Sequence, residues 1–361
     1  MAPGPTPVSP VAVEASADSV AEPPGFFWKG RGYGTDAYAG PFDLLLNKGM
    51  SIAQWNDLSR DLSEIDFQWE AVRRSITNPS GPVREAGGWG EVFSQHVLPR
   101  NSEDLRRANW VPNYAGHLIE GGISYRRLAE WNAAAGVPLP KVSAAVISYT
   151  AAIINEAYEM PFGPQYDTED GTSGAVVDLL IFDPLGILLF SFDGPSRFFA
   201  ETLGATVWPT QAAITLDGWI VNNGQAAIFK LPVLGDDLRL FMRAGLGFEA
   251  GLTFKRPGGV DLSVGAGFQS TTRFVDPFDE TESINQAFSI GLWFDRDNVL
   301  LGGLTYDEGT DRRFALNVFP GVVDLGPLGS PGFFAFVDGE GRPFFGISGS
   351  KMLGLGAGVG F

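Results

Sequence analysis

The chain has 361 residues, enough for one large domain or two ordinary ones. Hydrophobic residues make up 44% of the sequence and charged residues only 19%, which is not the composition of a disordered protein. The formal net charge of −17 argues against a nucleic-acid partner, because phosphate binding needs a basic surface. The absence of cysteine excludes disulfides, zinc–thiolate sites and cysteine nucleophiles.

Residues 1–25 predict a flexible N-terminal arm, because the stretch is rich in proline, alanine and serine. It lacks the charged and apolar regions of a signal peptide. We therefore expect either that a signal was removed before this numbering begins or that the chain is not exported.

Residues 26–195 predict a helical module, because apolar residues recur there at intervals of three and four. The two clearest helices cover 114–131 and 141–160, and the second lies between prolines. The segment 51–76 predicts another helix.

The longest apolar run, residues 174–192, is interrupted by Asp178, Asp183, Pro184 and Gly186. A membrane-spanning helix needs about 20 predominantly apolar residues. The run therefore predicts an interfacial or buried segment and not a transmembrane helix.

From about residue 205 the apolar period changes to two, which is typical of β-strands. The clearest run is 238–254, where every even position is apolar, and as one tilted strand it would cover about 40 Å of height. One or two strands are expected in 205–221. Further alternating runs lie at 225–232, 260–268, 284–295, 299–306, 312–320, 333–338, 342–348 and 351–361. Together these runs predict about ten strands, within a range of about 8–12.

We expect residues 196–361 to close into an antiparallel barrel, because closure removes the unpaired edges of a sheet. The other face of the strands is rich in glycine and poor in lysine and glutamate, which is unusual for a face in water. The fold prediction is therefore a mainly β protein, a closed antiparallel transmembrane β-barrel with its apolar face toward lipid. A soluble barrel or sandwich with an inward apolar face is the alternative.

The last eleven residues, KMLGLGAGVGF, alternate apolar side chains with glycine. The apolar positions are Leu353, Leu355, Ala357, Val359 and Phe361. This pattern resembles the C-terminal strand of Gram-negative outer-membrane β-barrel proteins, in which a final aromatic residue is recognised by the barrel-assembly machinery. The resemblance implies an outer-membrane location, with lipid, that machinery and other envelope proteins as partners.

The stretch NWVPNYAGHLIEGGISY, followed by NEAYE and GAVVDLL, is similar to an uncharacterised family of bacterial envelope proteins. That family has no established activity. The similarity therefore implies a location and not a chemistry.

The helical module is expected to pack in or under the barrel lumen, because its apolar helices have no other partner. Five charged residues of the strands would then face the lumen and meet acidic residues of the helices. They are Arg239, Arg243, Glu249, Asp261 and Arg273.

Four residues are candidates for chemistry on the two clearest helices. His117 and Glu120 share one helix face, and Glu156 and Glu159 share a face of the next. If these helices pack antiparallel, one imidazole and three carboxylates converge, as an acid–base pair or a metal site requires. The alternative is that His117 is a structural residue of the module and the glutamates meet lumen arginines.

The predicted function is that of a non-enzymatic outer-membrane protein without a cofactor or metal. Plugged by its own helical module, it would anchor or gate an envelope assembly or the passage of lipid or solute. The alternative is a membrane-embedded enzyme or metal-binding protein that acts on lipid through His117 and the helix glutamates.

Overall fold

The computed structural model describes residues 25–56, 58–99, 110–159, 172–233, 235, 237–275, 282–310, 312–349 and 355–360. The predicted N-terminal arm, apart from residue 25, lies outside the described residues, as do Leu353 and Phe361. The described chain forms a helical module followed by one large β-sheet.

The helical module combines α-helices with π-helical and 3₁₀ segments. The α-helices are α1 (Pro41–Asn47), α2 (Trp69–Thr77), α3 (Ser80–Glu85), α4 (Trp89–His96), α5 (Trp110–Pro112), α6 (Gly121–Ala134), α7 (Pro140–Glu159), α8 (Ser173–Val177), α9 (Asp183–Ser191) and α10 (Asp193–Arg197). The π-helical segments are π1 (Asn113–Glu120), π2 (Asp178–Phe182) and π3 (Phe198–Thr202), and the 3₁₀ turns are Gly34–Tyr38 and Ser51–Gln54.

The sequence pattern located the two long helices correctly. The first runs through α5, π1 and α6, and the second is α7, which begins at Pro140, where the missing N–H of proline costs no helical hydrogen bond. The predicted helix over 51–76 is wrong except for α2. Residues around Asp61 instead run beside the sheet, where Asp61 forms a β-bridge with Trp219, so pairing with a distant segment overrides the local helical pattern.

The sheet is built from 13 described strands. They are β1 (Thr206–Pro209), β2 (Ala213–Thr215), β3 (Ile220–Val221), β4 (Gln225–Leu231), β5 (Leu238–Ala244), β6 (Gly247–Phe254), β7 (Asp261–Val275), β8 (Glu282–Arg296), β9 (Val299–Asp307), β10 (Phe314–Val318), β11 (Gly332–Val337), β12 (Pro343–Ser348) and β13 (Gly356–Gly360). A 3₁₀ turn, Gly326–Leu328, precedes β11.

The prediction of a closed, all-antiparallel barrel of about ten strands is wrong. The described strands form one open sheet in the order β1-β4-β5-β6-β7-β8-β9-β10-β11-β12-β13-β2-β3. The sheet is mixed, because β13 pairs parallel with β2. Alternation of apolar residues shows only which face a side chain occupies, so it is the same in parallel and antiparallel sheets and in open and closed ones.

The strands at the two ends of the sheet come from one stretch of chain, 206–231. Pro209, which cannot donate a ladder hydrogen bond, precedes the gap between β1 and β2. Between β3 and β4 the backbone turns at Asn222 and Gly224, with φ of 49° and 117°. Every residue of β1 and β3 is buried, so the end strands are covered by the rest of the protein.

The predicted single strand over 238–254 is also wrong, because the chain reverses between β5 and β6. Ala244 pairs with Phe248, and the Gly245 N–H donates to the carbonyl of Gly247 at 2.9 Å. Even-numbered residues occupy the same face before and after this turn. The alternating pattern therefore continues through it and conceals it, and the height of about 40 Å expected for one strand does not hold.

The inner face of the sheet is filled by side chains of the sheet region itself. This inner core consists of Trp208, Ala226, Ile228, Phe241, Trp293, Leu300 and Phe319. Glycine makes room for it, since a Cβ at Gly291 would lie 2.4 Å from the ring of Trp293.

The helices pack on the other side of β1 and β4. On β1, Val207 belongs to the core of the helical module, whereas the next residue, Trp208, belongs to the inner core of the sheet. On β4, Phe229 packs against the core of the helical module, and Ile228 belongs to the inner core of the sheet. The predicted packing of helices in or under a lumen is therefore wrong, because aromatic residues of the sheet region occupy the inner face.

The outer face of β6–β13 is a continuous apolar surface, which we call the outer apolar face. Its central row follows the strand register from one strand to the next. The row is Leu252, Val264, Leu292, Leu304, Leu316, Ala335, Phe345 and Val359. All of these side chains are exposed or half-buried, and Leu304 is 47% exposed. The side chains of this row thus point away from the protein's own centre, whereas Phe334, Phe336 and Phe344 of β11 and β12 are buried on the inner face.

Candidate functional site

Five polar residues of the helical module meet in its interior, and we call them the His117 cluster. His117 lies in π1, Glu156 in α7, Asp178 at the start of π2 and Asp183 at the start of α9, and Lys48 directly follows α1. Two of these segments are π-helical, a distortion that frequently occurs at functional sites.

Glycine residues bring the helices close enough for the cluster to form. A Cβ at Gly186 of α9 would lie 2.7 Å from the carbonyl oxygen of Leu118 in π1. A Cβ at Gly122 of α6 would lie 2.3 Å from the ring of Phe190 in α9. Direct contact between α9 and the helix that carries His117 therefore depends on both glycines.

His117 is oriented by a chain of charged contacts. Its Nδ1 lies 3.0 Å from Oδ2 of Asp183, and the other oxygen of Asp183 accepts a hydrogen bond from Nζ of Lys48 at 2.8 Å. A carboxylate only accepts hydrogen bonds, so Nδ1 carries the proton. The second ring nitrogen, Nε2, faces Asp178 and lies 3.8 Å from its Oδ2.

Three members of the cluster converge on one point. His117, Glu156 and Asp178 each offer a ligand atom, and these atoms all lie within 4.8 Å of one another. Oε1 of Glu156 and Oδ1 of Asp178 are buried and have no hydrogen-bond partner among the described residues. Buried polar atoms are nearly always paired, so this arrangement requires a proton or a cation.

The charges in the cluster shift the pKa values of its members in opposite directions. Burial lowers the pKa of His117, but the carboxylates of Asp178 and Asp183 outweigh it and raise this pKa to about 10. Burial raises the pKa of Asp183, but Lys48 and His117 outweigh it and lower this pKa to about 2. His117 and Asp183 therefore form an ion pair at neutral pH.

The two remaining carboxyl groups have raised pKa values. Burial, which is the main cause, raises the pKa of Asp178 to about 7. Burial, together with the charges of Asp178 and Glu159, raises the pKa of Glu156 well above its ordinary value. Both shifts favour the protonated form of these carboxyl groups, and a bound cation would compete with those protons.

The structure brings together two of the four residues that were predicted to converge. His117 and Glu156 come together as expected. Glu159, at the end of α7, is half-buried, and its charge acts on Glu156. Glu120 points elsewhere: it is buried, and its Oε1 accepts a hydrogen bond from Nε2 of Gln225 on β4 at 2.7 Å.

The sequence analysis missed three members of the cluster, Lys48, Asp178 and Asp183. The two aspartates appeared only as interruptions of an apolar run. Charged side chains are almost never fully buried unless they are paired, so charges inside an apolar helix were a usable signal for a buried ionic site.

All five of the predicted lumen charges lie on β5, β6 and β7. Arg243 and Glu249 face each other across β5 and β6, with Nη1 and Oε2 2.6 Å apart, and the charge of Glu120 in π1 also acts on Arg243. Nε of Arg239 is buried with no hydrogen-bond partner among the described residues. Asp261 stands opposite Asp295 of β8. The fifth, Arg273, lies in β7, but its side chain is outside the described part of the chain.

One helix of the described chain, Ser173–Ser191, is long and apolar enough to cross a membrane, with a mean hydropathy of 1.9. Its two aspartates belong to the His117 cluster, and about 44% of it is buried inside the protein. We therefore treat it as a packed helix of the module.

Comparison of the chain with protein-family models, with curated proteins and with solved structures found no match.

Proposed function

We propose that this chain is an integral protein of the bacterial outer membrane that anchors an envelope assembly. In this proposal the outer apolar face contacts lipid, and the helical module packs beside the sheet. The observation that carries the proposal is the unbroken row of apolar side chains across eight strands, β6–β13.

The size of the outer apolar face supports contact with lipid. Eleven large apolar side chains of β6–β12 are exposed: Phe248, Phe254, Phe288, Ile290, Leu292, Phe294, Leu304, Phe314, Leu316, Phe345 and Ile347. With 37–51% of each exposed, they present on the order of 800 Å². The largest apolar patch of a typical soluble monomer is about 300–600 Å².

The polar groups of the sheet support the same orientation. Glu249 and Asp307 are buried on the inner face, and Oγ of Ser289 lies 2.6 Å and 2.5 Å from their carboxylates. Lys230 forms a buried ion pair with Asp295. A surface in hydrocarbon cannot leave backbone groups unpaired, and burial of β1 and β3 keeps the two end edges of the sheet away from it.

Location and role rest on two further observations. The resemblance of residues 351–361 to the last strand of outer-membrane proteins supports the outer membrane over other membranes. The filling of the inner face by Phe241, Trp293 and their neighbours supports an anchoring role over passage of a solute. We expect no steady conductance when the protein is inserted in a planar bilayer.

Spin labels on introduced cysteines test the lipid contact, because the chain has no cysteine of its own. Leu304→Cys and Phe345→Cys place labels on the outer apolar face, and Glu340→Cys, with a 73% exposed side chain, is the matched control on the turn between β11 and β12. In lipid vesicles the first two labels are expected to be accessible to oxygen and shielded from a water-soluble nickel complex. The control label is expected to show the reverse.

Equal access of the nickel complex to all three labels would contradict the proposal, as would recovery of the protein in the aqueous phase without detergent. Separation of inner and outer membranes on a density gradient then tests the location. Recovery in the inner-membrane fraction would refute the outer-membrane assignment and leave the lipid contact standing.

A further inference from the structure

The His117 cluster has the form of a metal centre, and this inference does not depend on contact of the sheet with lipid. Its three converging residues come from three different segments, π1, α7 and π2. Glu156 is 5% exposed and Asp178 is 8% exposed, so both carboxyl groups are taken almost completely out of water.

The unpartnered oxygen atoms indicate a position where a cation could replace a carboxyl proton. Each of these carboxyl groups has one buried oxygen, Oε1 of Glu156 and Oδ1 of Asp178, that accepts no hydrogen bond from the described residues. A buried carboxylate normally accepts hydrogen bonds or binds a metal ion. Lys48, the one lysine of the cluster, donates its hydrogen bond to Asp183.

The orientation of His117 indicates the same occupant. A metal-binding histidine almost always donates its second N–H to a carboxylate or carbonyl group, which fixes the ring. Here Nδ1 donates to Asp183, and Asp183 is itself held by Lys48.

The second ring nitrogen, Nε2, lies 3.8 Å from Oδ2 of Asp178, too far for a hydrogen bond, and it would lose its proton to bind an ion. Two ligand atoms that share a tetrahedral ion at about 2.1 Å are about 3.4 Å apart, so a small movement of the side chains completes the site.

We propose that Nε2 of His117 and the carboxylates of Glu156 and Asp178 bind a divalent transition-metal ion, with Asp183 and Lys48 as positioning residues. One imidazole nitrogen and two carboxylate oxygens form a ligand set that suits Zn²⁺, Fe²⁺ or Mn²⁺. A neutral imidazole and two carboxylates carry a charge of −2, which a divalent ion neutralises. The negative charge of Asp183 and the positive charge of Lys48 cancel each other.

Calorimetric titration of the full-length, chelator-treated protein in detergent with Zn²⁺ tests the proposal. We expect one ion bound per chain, and a loss of at least about 100-fold in affinity in Glu156→Gln, which keeps the shape of the side chain and removes its charge. Asp183→Asn is expected to lower the affinity by about 10–100-fold through the orientation of His117. Glu120→Gln is the matched control, because Glu120 is a buried carboxyl group of π1, the segment that carries His117, and is hydrogen-bonded to Gln225. The Glu120→Gln variant is expected to bind Zn²⁺ as the unchanged protein does.

Zinc-edge X-ray absorption of the loaded, unsubstituted protein gives a second result that does not depend on the folding of any variant. A shell of one imidazole nitrogen with oxygen neighbours at about 2.0–2.2 Å supports the site. A shell without imidazole, equal affinity in Glu156→Gln, or no stoichiometric binding would overturn it.

Discussion

Replacing Phe241 by alanine tests whether the inner face of the sheet is the buried core that the structure describes. The Phe241 side chain is 0% exposed, and its ring centroid lies 5.1 Å from that of Trp293 and 6.1 Å from that of Trp208. Phe→Ala at a buried site costs about 3–5 kcal/mol, because apolar burial is lost and a cavity remains. We expect Phe241→Ala to lower the free energy of unfolding by that amount.

Phe248→Ala is the matched control for this prediction. Phe248 lies on the neighbouring strand, on the outer face, and is 39% exposed. Detergent or lipid can fill the space that its ring leaves, so we expect a cost below about 1.5 kcal/mol. Guanidinium unfolding in detergent micelles, followed by tryptophan fluorescence, measures both variants. Equal costs, or a cost at Phe248 that exceeds the cost at Phe241, would refute the assignment of the two faces.

Three further predictions concern the helical module and the inner face. Lys48→Met leaves the buried carboxylate of Asp183 without its lysine, and we expect a loss of about 3 kcal/mol in the free energy of unfolding, measured with denaturant. A loss below about 0.5 kcal/mol would show that this ion pair does not stabilise the fold. The pKa of His117 is raised from 6.5 to about 10, so its contribution to stability is complete below pH 6.5 and is lost as the pH rises toward 10, by about 1.4 kcal/mol per pH unit. His117→Asn should remove this slope from a pH series of unfolding curves taken with chelator present, and an unchanged slope would contradict the assignment. Gly291→Ala places a Cβ against the ring of Trp293 and should lower stability by about 1–3 kcal/mol, whereas Gly32→Ala, where nothing lies within 4 Å, should change it little in the same assay.

The residue pattern predicted outward positions of the sheet, but it did not predict the aromatic core on the inner face. Alternation identified the outward positions, such as Leu304, because a period of two assigns each side chain to one face of a strand. Within 238–254 Phe241 was the one large apolar residue at an odd position, and the structure explains this exception. Its ring occupies the inner core, beside the glycine-rich part of the inner face.

The candidate site was predictable only in part. His117 and Glu156 were found because each lies on a clearly periodic helix. Glu120 was wrongly grouped with them, since a shared helix face does not reveal which neighbour that face contacts; Glu120 reaches Gln225 of the sheet. Asp178 and Asp183 could have been found from their position in an apolar run, but their partners come from segments distant in sequence.

The sequence by itself determined the order of helices and strands, the faces of the strands and the absence of thiol chemistry, because these follow from composition and from local periodicity. Only the tertiary structure decided that the sheet is open and mixed, that β5 and β6 are two strands, and that the helices pack on β1 and β4 outside the inner core. The physical reason is the same in each case. Pairing between strands and packing between layers join residues far apart in the chain, and the local pattern is identical for several such arrangements.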